Sequence, residues 1–259
     1  MKNNNTHLIF AIVFASVLIA ASLVFAAGVY GYINYYSTGD SSQGSFSEKM
    51  EQYIAAKQGE EQARQLAAQK RQEEATKGVR PIDATDHVQG DRDAKISIIE
   101  YSDYECPFCK RNHPTVQKVV NDYKGVVNWA YRHLPLEFHD PNATDQAEAT
   151  ECVAVANGNA AFWIMNGEIF ERTKSNKSFP FKQLEPLVKE LGFDVAKYNA
   201  CMKSNETLSI INQHKVEAAA LGISGTPANI LRNNETGEVR FLPGAYPYEA
   251  FEAVIEEWK

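Results

Sequence analysis

The stretch Lys95–Cys109, KISIIEYSDYECPFC, decides the fold. Residues 95–101 are mostly β-branched and apolar, which predicts a short buried strand. The CxxC motif at 106–109 follows almost at once, and apolar residues then recur at helical spacing over 116–123. A second apolar run, at 126–131, predicts another strand. The order strand, CxxC, helix, strand therefore predicts a βαβ unit with two cysteines where the first strand meets the helix.

The position of the CxxC motif predicts redox chemistry. Cys106 falls at the start of the helix, where unpaired N–H groups and the helix dipole favour an anion and lower the pKa of a thiol. Pro107 suits the first helical position because its missing N–H is not needed there. Cys109 lies one turn further on, where it can close a disulfide with Cys106 or resolve a mixed disulfide. A CxxC beside a βαβ pattern is typical of thioredoxin-like redox proteins.

A structural zinc site is the alternative use of four cysteines. The other two, Cys152 and Cys201, are far apart in the sequence and form no second CxxC. The histidines are scattered, without an HxH or HxxxH spacing. We therefore predict no metal site.

Four motifs together resemble one known family. They are the stretch 100–109, EYSDYECPFC; the stretch 225–228, GTPA; the stretch 134–136, LPL, with His139 after it; and the stretch 243–246, PGAY. The set resembles DsbA-like thiol–disulfide oxidoreductases, which are thioredoxin folds of the bacterial and archaeal cell envelope. The resemblance covers Arg80 to Lys259 and implies no small-molecule cofactor.

The resemblance implies an α/β thioredoxin fold with an inserted helical domain. The charge pattern predicts that a transmembrane helix and a charged helical spacer precede it. The expected segments are a signal anchor or transmembrane helix at 1–36, a charged helical spacer at 37–78, the first part of the thioredoxin fold at 79–141, an inserted helical domain at 142–221 and the second part of the thioredoxin fold at 222–259.

Three residues outside the CxxC take roles from the resemblance. Pro227 is expected to be a cis proline that packs against the motif, with Thr226 pairing with an extended substrate segment. An ordinary trans turn is the alternative. Glu100 matches a buried acid beneath the active site, where it would exchange a proton with Cys109 and have a raised pKa. Alternatively, Glu100 faces solvent at a strand edge.

One departure from the family concerns the strength of the oxidant. DsbA has a histidine where this chain has Phe108, and a phenyl ring stabilises the Cys106 thiolate less well. Asp103 and Glu105 are also acidic and close in sequence, so we expect them to raise the energy of the thiolate. We therefore predict a milder oxidant than enteric DsbA. Thr226 before the proline resembles the disulfide isomerases and several Gram-positive oxidases more than enteric DsbA.

The sequence from Asn142 to Leu221, before Pro227, predicts a helical region. The predicted helices are Asp145–Ala156, Ala160–Arg172, Phe181–Leu191, Asp194–Lys203 and Glu206–Leu221. Cys152 and Cys201 fall on two of them, and we predict a structural disulfide between the two. Two separate buried thiols, or a second redox pair that relays electrons, are the alternatives.

Charge is distributed unevenly along the chain. Residues 3–39 contain no Asp, Glu, Lys or Arg, residues 48–77 balance acid against base, and the remainder carries the net charge of −7. This pattern excludes a simple soluble enzyme, a nucleic-acid binder with a basic face and a polytopic membrane protein.

The uncharged run at 8–33 is long enough to cross a bilayer core of about 30 Å, so we predict a retained single-pass anchor. A cleaved signal peptide is the alternative. Lys2 gives a weak positive-inside bias, which places the bulk of the chain outside the cytoplasm. The spacer begins with a capping box at 45–48 and predicts a solvated charged helix, or alternatively a weak oligomerising stalk.

These observations predict a membrane-anchored, extracytoplasmic enzyme that introduces disulfides into exported proteins. Its expected partners are cysteine-containing exported proteins and a membrane quinone reductase of the DsbB or VKOR type. A disulfide isomerase or reductase on the same scaffold is the first alternative. The second is a non-catalytic thioredoxin-like scaffold module of a membrane complex.

Overall fold

The computed structural model describes residues 46–259, which form eight α-helices and five strands. The elements are α1 (Phe46–Thr76), β1 (His87–Gln89), β2 (Ile96–Ser102), α2 (Pro107–Asp122), β3 (Val127–His133), α3 (Asn142–Asn157), α4 (Asn159–Arg172), α5 (Leu184–Glu190), α6 (Val195–Ser204), α7 (Leu208–Ala220), β4 (Ala228–Asn233), β5 (Val239–Pro243) and α8 (Tyr248–Trp258). Short 3₁₀ turns lie at Glu137–His139 and Phe181–Gln183. The chain divides into two units between Gln69 and Lys70.

The predicted spacer helix is present as α1, which runs without a break through Gly59. Its composition of Glu, Gln, Ala, Lys and Arg favours a helix, and two of its few large apolar side chains, Tyr53 and Leu66, are exposed. The last turns belong to the compact unit: Thr76 is fully buried, and the Gln72 amide donates to the Gly222 carbonyl at 3.1 Å.

A five-stranded mixed sheet forms the centre of the compact unit, in the order β1-β3-β2-β4-β5. β2 and β3 are parallel, and the other pairs are antiparallel. Every residue of β2 and β3 is buried, as expected for central strands that are covered on both faces. The predicted strand–CxxC–helix–strand unit is therefore confirmed as β2-α2-β3, while the short edge strand β1 was not predicted.

Successive side chains of a strand point to opposite faces of the sheet, so the buried apolar residues form two clusters, one on each face. Ile98 and Trp129 point to the face that α2 and α8 cover, where they meet Val116 and Phe251. On the other face, a cluster that includes Ile99, Tyr101 and Ala130 of the sheet is joined by Ala218 and Leu221, at the end of α7. The CxxC thus lies at one end of a rigid, doubly covered strand.

The helices α3–α7 lie between β3 and β4, where a helical region was predicted. The predicted boundaries differ from the observed ones by up to three residues, and the predicted helix Phe181–Leu191 is a 3₁₀ turn followed by α5. The Asp194 carboxylate caps α6 by accepting the N–H of Lys197 at 3.0 Å. Gly192 and Gly222 have φ of 77° and 70°, the conformation that lets glycine end a helix.

Cys152 of α3 is bonded to Cys201 of α6, and both are buried. The alternative of two separate thiols is therefore wrong. The bond closes a loop with a sequence separation of 49 residues. Whether the bond is structural or takes part in electron transfer stays a prediction.

The predicted anchor at 1–36 lies outside the described residues. Within residues 46–259, no helix is both long and apolar enough to span a bilayer.

We predict that the Cys152→Ala/Cys201→Ala double substitution lowers the free energy of unfolding by roughly 4 kcal/mol, because an open chain gains loop entropy in the unfolded state. Urea denaturation measures this loss, with Cys106→Ala/Cys109→Ala as the common background. A loss within about 1 kcal/mol of zero would contradict a structural role. In the wild-type protein, reduction of the Cys152–Cys201 bond under the same mild conditions as the CxxC would also contradict it.

Candidate active site

The CxxC motif lies where the chain leaves β2 and enters α2. Cys106 is the N-cap residue of α2, with extended backbone angles of φ −79° and ψ 121°, and Pro107 takes the first helical position. No side chain caps this helix end. The first backbone N–H groups of α2 are therefore available to the sulfur of Cys106. Both cysteines are buried free thiols, with Cys106 4% and Cys109 0% exposed.

Hydrogen bonds hold the pKa of Cys106 well below the usual range of a thiol. The Cys109 thiol is the largest contributor, and burial opposes it. The Thr226 side chain and the N–H groups of Cys109 and Phe108 also favour the thiolate. The pKa of Cys106 is lowered to about 6, so this sulfur is largely a thiolate at neutral pH.

The same surroundings raise the pKa of Cys109 well above the usual value. Burial is the main cause, followed by the hydrogen bond to Cys106 and the negative charges of Cys106 and Glu100. The N–H of Asp103 donates to the Cys109 sulfur at 3.4 Å. The two thiols thus differ in a way that suits thiol–disulfide exchange. Cys106 is a good leaving group as a thiolate, and Cys109 stays protonated.

A loop from the far side of the fold covers Cys106. The Thr226–Pro227 peptide bond is cis, and the Cys106 thiol donates to the Thr226 carbonyl at 3.4 Å. A cavity of about 300 Å³ lies beside this loop. Its lining is mixed: it includes the apolar side chains of Ile223 and Phe241, the polar residues Ser224 and Thr226, and Gln72 from the end of α1.

Glu100 is fully buried in β2, so the alternative in which it faces solvent is wrong. Within residues 46–259, neither carboxylate oxygen has a partner at ordinary hydrogen-bond distance. Burial raises the pKa of Glu100 to about 7, although the nearby side chains of Ser102, Asn112 and Trp129 favour the ionised form. The negative charge of Cys106 raises the pKa of Glu100, and the negative charge of Glu100 raises the pKa of Cys109. A carboxyl group that titrates near neutral pH is suited to exchanging a proton with Cys109.

The two acidic residues before Cys106 are engaged elsewhere. The Asp103 carboxylate pairs with His139 Nδ1 at 2.8 Å and accepts the N–H of Leu136 at 2.9 Å. The Glu105 carboxylate accepts the amide of Gln146, and its other oxygen accepts the N–H of Lys177. Neither acid is among the main contributors to the pKa of Cys106, so their expected destabilisation of the thiolate does not dominate.

Phe108, between the two cysteines, is 52% exposed. The guanidinium of Arg111 sits 5.0 Å from its ring centroid, within cation–π range. Phe108 thus contributes its backbone N–H to the Cys106 thiolate, while its side chain gives the surface an apolar edge.

The structure excludes a site built from all four cysteines, because two of them are bonded to each other. Within residues 46–259, no three or more His, Cys, Asp or Glu side chains are grouped so that they could hold a metal ion.

The sequence interpretation missed two buried amides next to this site. Asn112 of α2 and Asn229 of β4 are both 0% exposed and hydrogen-bonded to each other at 3.0 Å. Asn112 follows Cys109 by three residues, a spacing that places both side chains on one helix face, and Asn229 follows Pro227 by two. That spacing was the available signal.

Known proteins share this fold and sequence pattern. The family model described as Thioredoxin matches residues 83–257. The crystal structure of DsbA2 from Pseudomonas aeruginosa is 31% identical, covers 70% of this chain and 97% of that one, and superposes with a TM-score of 0.59. The crystal structure of BcfH from Salmonella enterica Typhimurium covers 93% of this chain and 99% of that one with a TM-score of 0.71. At 17% identity, this second likeness concerns the fold alone.

Curated relatives also match part of the chain. The Na(+)/H(+) antiporter NhaA 1 of Mycolicibacterium gilvum is 30% identical over 152 residues, which are 58% of this chain and 24% of the antiporter. The Na(+)/H(+) antiporter NhaA 3 of Salinispora tropica is 30% identical over 176 residues, 68% of this chain and 25% of the antiporter. The chain thus spans about a quarter of the length of these curated relatives.

We predict that the reduced protein shows a thiolate titration with a midpoint near pH 6, followed by ultraviolet thiolate absorbance. Cys109→Ala raises that midpoint, because the largest hydrogen bond to the thiolate is lost. Cys106→Ala removes the transition and is the control. A wild-type midpoint near the free-thiol value of about 8.5 would contradict the described geometry.

Proposed function

Because the chain belongs to the thioredoxin family and has a DsbA-like relative, we propose that it is a thiol–disulfide oxidoreductase that introduces disulfides into exported proteins. The observation that carries the proposal is the opposite displacement of the two cysteine pKa values at the start of α2. The cis-peptide loop against Cys106 supports it, since an extended cysteine-containing segment could pair with the backbone of that loop.

The exchange starts from the oxidised form, with Cys106 and Cys109 joined. A substrate thiolate attacks Cys106 Sγ, the bond between the two cysteines breaks, and Cys109 leaves and takes up a proton. The second substrate thiolate then attacks the substrate sulfur of the mixed disulfide. Cys106 leaves as a thiolate. The substrate loses two electrons, which the enzyme's cysteine pair gains.

The two pKa values favour this direction. Cys106 is the better leaving group because its thiolate is stabilised, which promotes the second step. Cys109 is a poor leaving group unless it is protonated as the bond breaks. Glu100, with a pKa near neutral, is the group proposed to supply that proton.

The proposed location is extracytoplasmic, on a single-pass anchor formed by the uncharged segment at 8–33. The Cys152–Cys201 bond supports an oxidising compartment, where disulfides persist. The matched curated relatives are named as Na(+)/H(+) antiporters, and antiport between two compartments agrees with the proposed place at a membrane. The proposed partners are exported proteins with cysteine pairs and a membrane quinone reductase of the DsbB or VKOR type, which would reoxidise Cys106 and Cys109.

We predict that alkylation trapping in cells finds Cys106 and Cys109 mostly joined by a disulfide, because an oxidase is in its oxidised form before it binds a substrate. The matched variant Cys109→Ala should accumulate mixed disulfides through Cys106, and Cys106→Ala should accumulate none. A mostly reduced pair would favour an isomerase or reductase. A Cys106→Ala strain with unchanged disulfides in its exported proteins would favour a scaffold module.

A further inference from the structure

The last turns of α1 pack against the segment that joins α7 to β4 and carries the cis peptide bond. Thr76 is fully buried, and Val79, just after the helix, belongs to one apolar cluster with Leu221 and Ile223. A Cβ added to Gly78 would lie 3.8 Å from a methyl group of Leu221, so the two segments approach closely. The end of the spacer helix is therefore held beside the loop that covers the CxxC.

Gln72 presents a polar group from α1 to this segment. Its side-chain amide donates to the Gly222 carbonyl at 3.1 Å, and the side chain is half-buried. An amide has two hydrogens to donate and one oxygen that accepts. Among the groups that the structure describes, none other bonds to this amide, so one hydrogen and the Oε1 atom remain for a bound molecule.

Gln72 and Thr226 line the same cavity of about 300 Å³. Thr226 also borders the reactive sulfur, because the Cys106 thiol donates to its carbonyl at 3.4 Å. An extended segment advances about 3.3 Å per residue. When a cysteine of such a segment reaches Cys106 and its backbone pairs with the Thr226 loop, residues within a few positions of that cysteine lie beside the cavity.

We propose that Gln72 is a specificity-determining residue, whose amide binds a neutral hydrogen-bonding side chain of the cysteine-containing segment beside Thr226. This inference rests on the proposed function. The occupant is an extended segment of an exported protein with Asn, Gln, Ser or Thr a few positions from its cysteine. Such a side chain accepts the second amide hydrogen of Gln72 or donates to its Oε1, while Ile223 and Phe241 cover its carbon atoms.

The composition of the cavity explains why a neutral polar side chain is favoured. The described residues that line it carry no charge, so a Lys or Glu side chain would be desolvated there without an opposite charge. An apolar side chain would take solvent away from the free hydrogen and oxygen of Gln72 without replacing their hydrogen bonds. Both mismatches cost binding energy, and specificity is such a difference between affinities.

The test measures kcat and KM of the full-length protein for synthetic dithiol peptides that carry Asn or Leu, in turn, at each of the positions near the cysteine. At one of these positions the wild-type protein should favour Asn about threefold to tenfold, the size expected of one hydrogen bond, and the difference should lie in KM. Gln72→Leu should abolish this preference, because the donor and the acceptor are removed. An unchanged preference would overturn the proposal.

Two further variants separate contact with the substrate from support of the loop. Gln72→Glu should shift the preference from Asn to Lys at the same peptide position, because a carboxylate attracts the ammonium group. Loss of rate by one common factor for every peptide would indicate a merely structural role and overturn the proposal. Gln65→Leu is the matched control: it removes an exposed amide of the same helix that donates to Glu61 at 3.0 Å, and it should leave every preference unchanged.

Photocrosslinking keeps the test independent of catalysis. A peptide with an activated disulfide is attached to Cys106 in the Cys109→Ala protein, with a photoreactive residue placed in turn at the same positions. From at least one position, crosslinks should form within residues 70–76, and crosslinks only elsewhere would overturn the proposal. If the wild-type protein does not oxidise the peptides, the proposed function fails, while the crosslinks still decide whether the end of α1 borders a segment bound to Cys106.

Discussion

The hydrogen bonds that converge on the Cys106 sulfur are the interaction on which the rest of the site depends. Those that favour its thiolate require a helix that begins at this residue and a second thiol one turn later. β2 fixes where the helix begins, because its whole length is buried between two neighbouring strands. The fold therefore acts mainly by holding this one sulfur at a helix N-terminus.

The same contacts explain why the two thiols differ so strongly. The Cys109 thiol donates to the Cys106 thiolate, so what stabilises the charge on one sulfur disfavours it on the other. Burial adds to the difference, since Cys109 is fully enclosed beside the acid Glu100. Asp103 and Glu105, which the sequence places next to Cys106, bind other groups instead. Local charge in the sequence is thus a poor guide to the charge that the sulfur experiences.

The central unit could be predicted from the sequence because its signals are local. The apolar run before the CxxC predicted β2 to within one residue at each end, and helical spacing after it predicted α2. The edge strand β1 was missed because its three residues carry no period, and the tertiary contacts with β3 create it. The amide pair was missed because residues 112 and 229 are far apart in the sequence, and only the fold brings α2 against β4.

The most direct test of the central claim is the equilibrium redox potential of the Cys106–Cys109 pair, measured against glutathione. A thiolate stabilised by backbone and thiol donors, with Phe108 in place of a histidine, should make the pair a moderate oxidant. We predict a potential between about −270 mV, the value for thioredoxin, and about −120 mV, the value for DsbA. A potential at or above about −120 mV would contradict the moderating effect, and one at or below about −270 mV would contradict an oxidase.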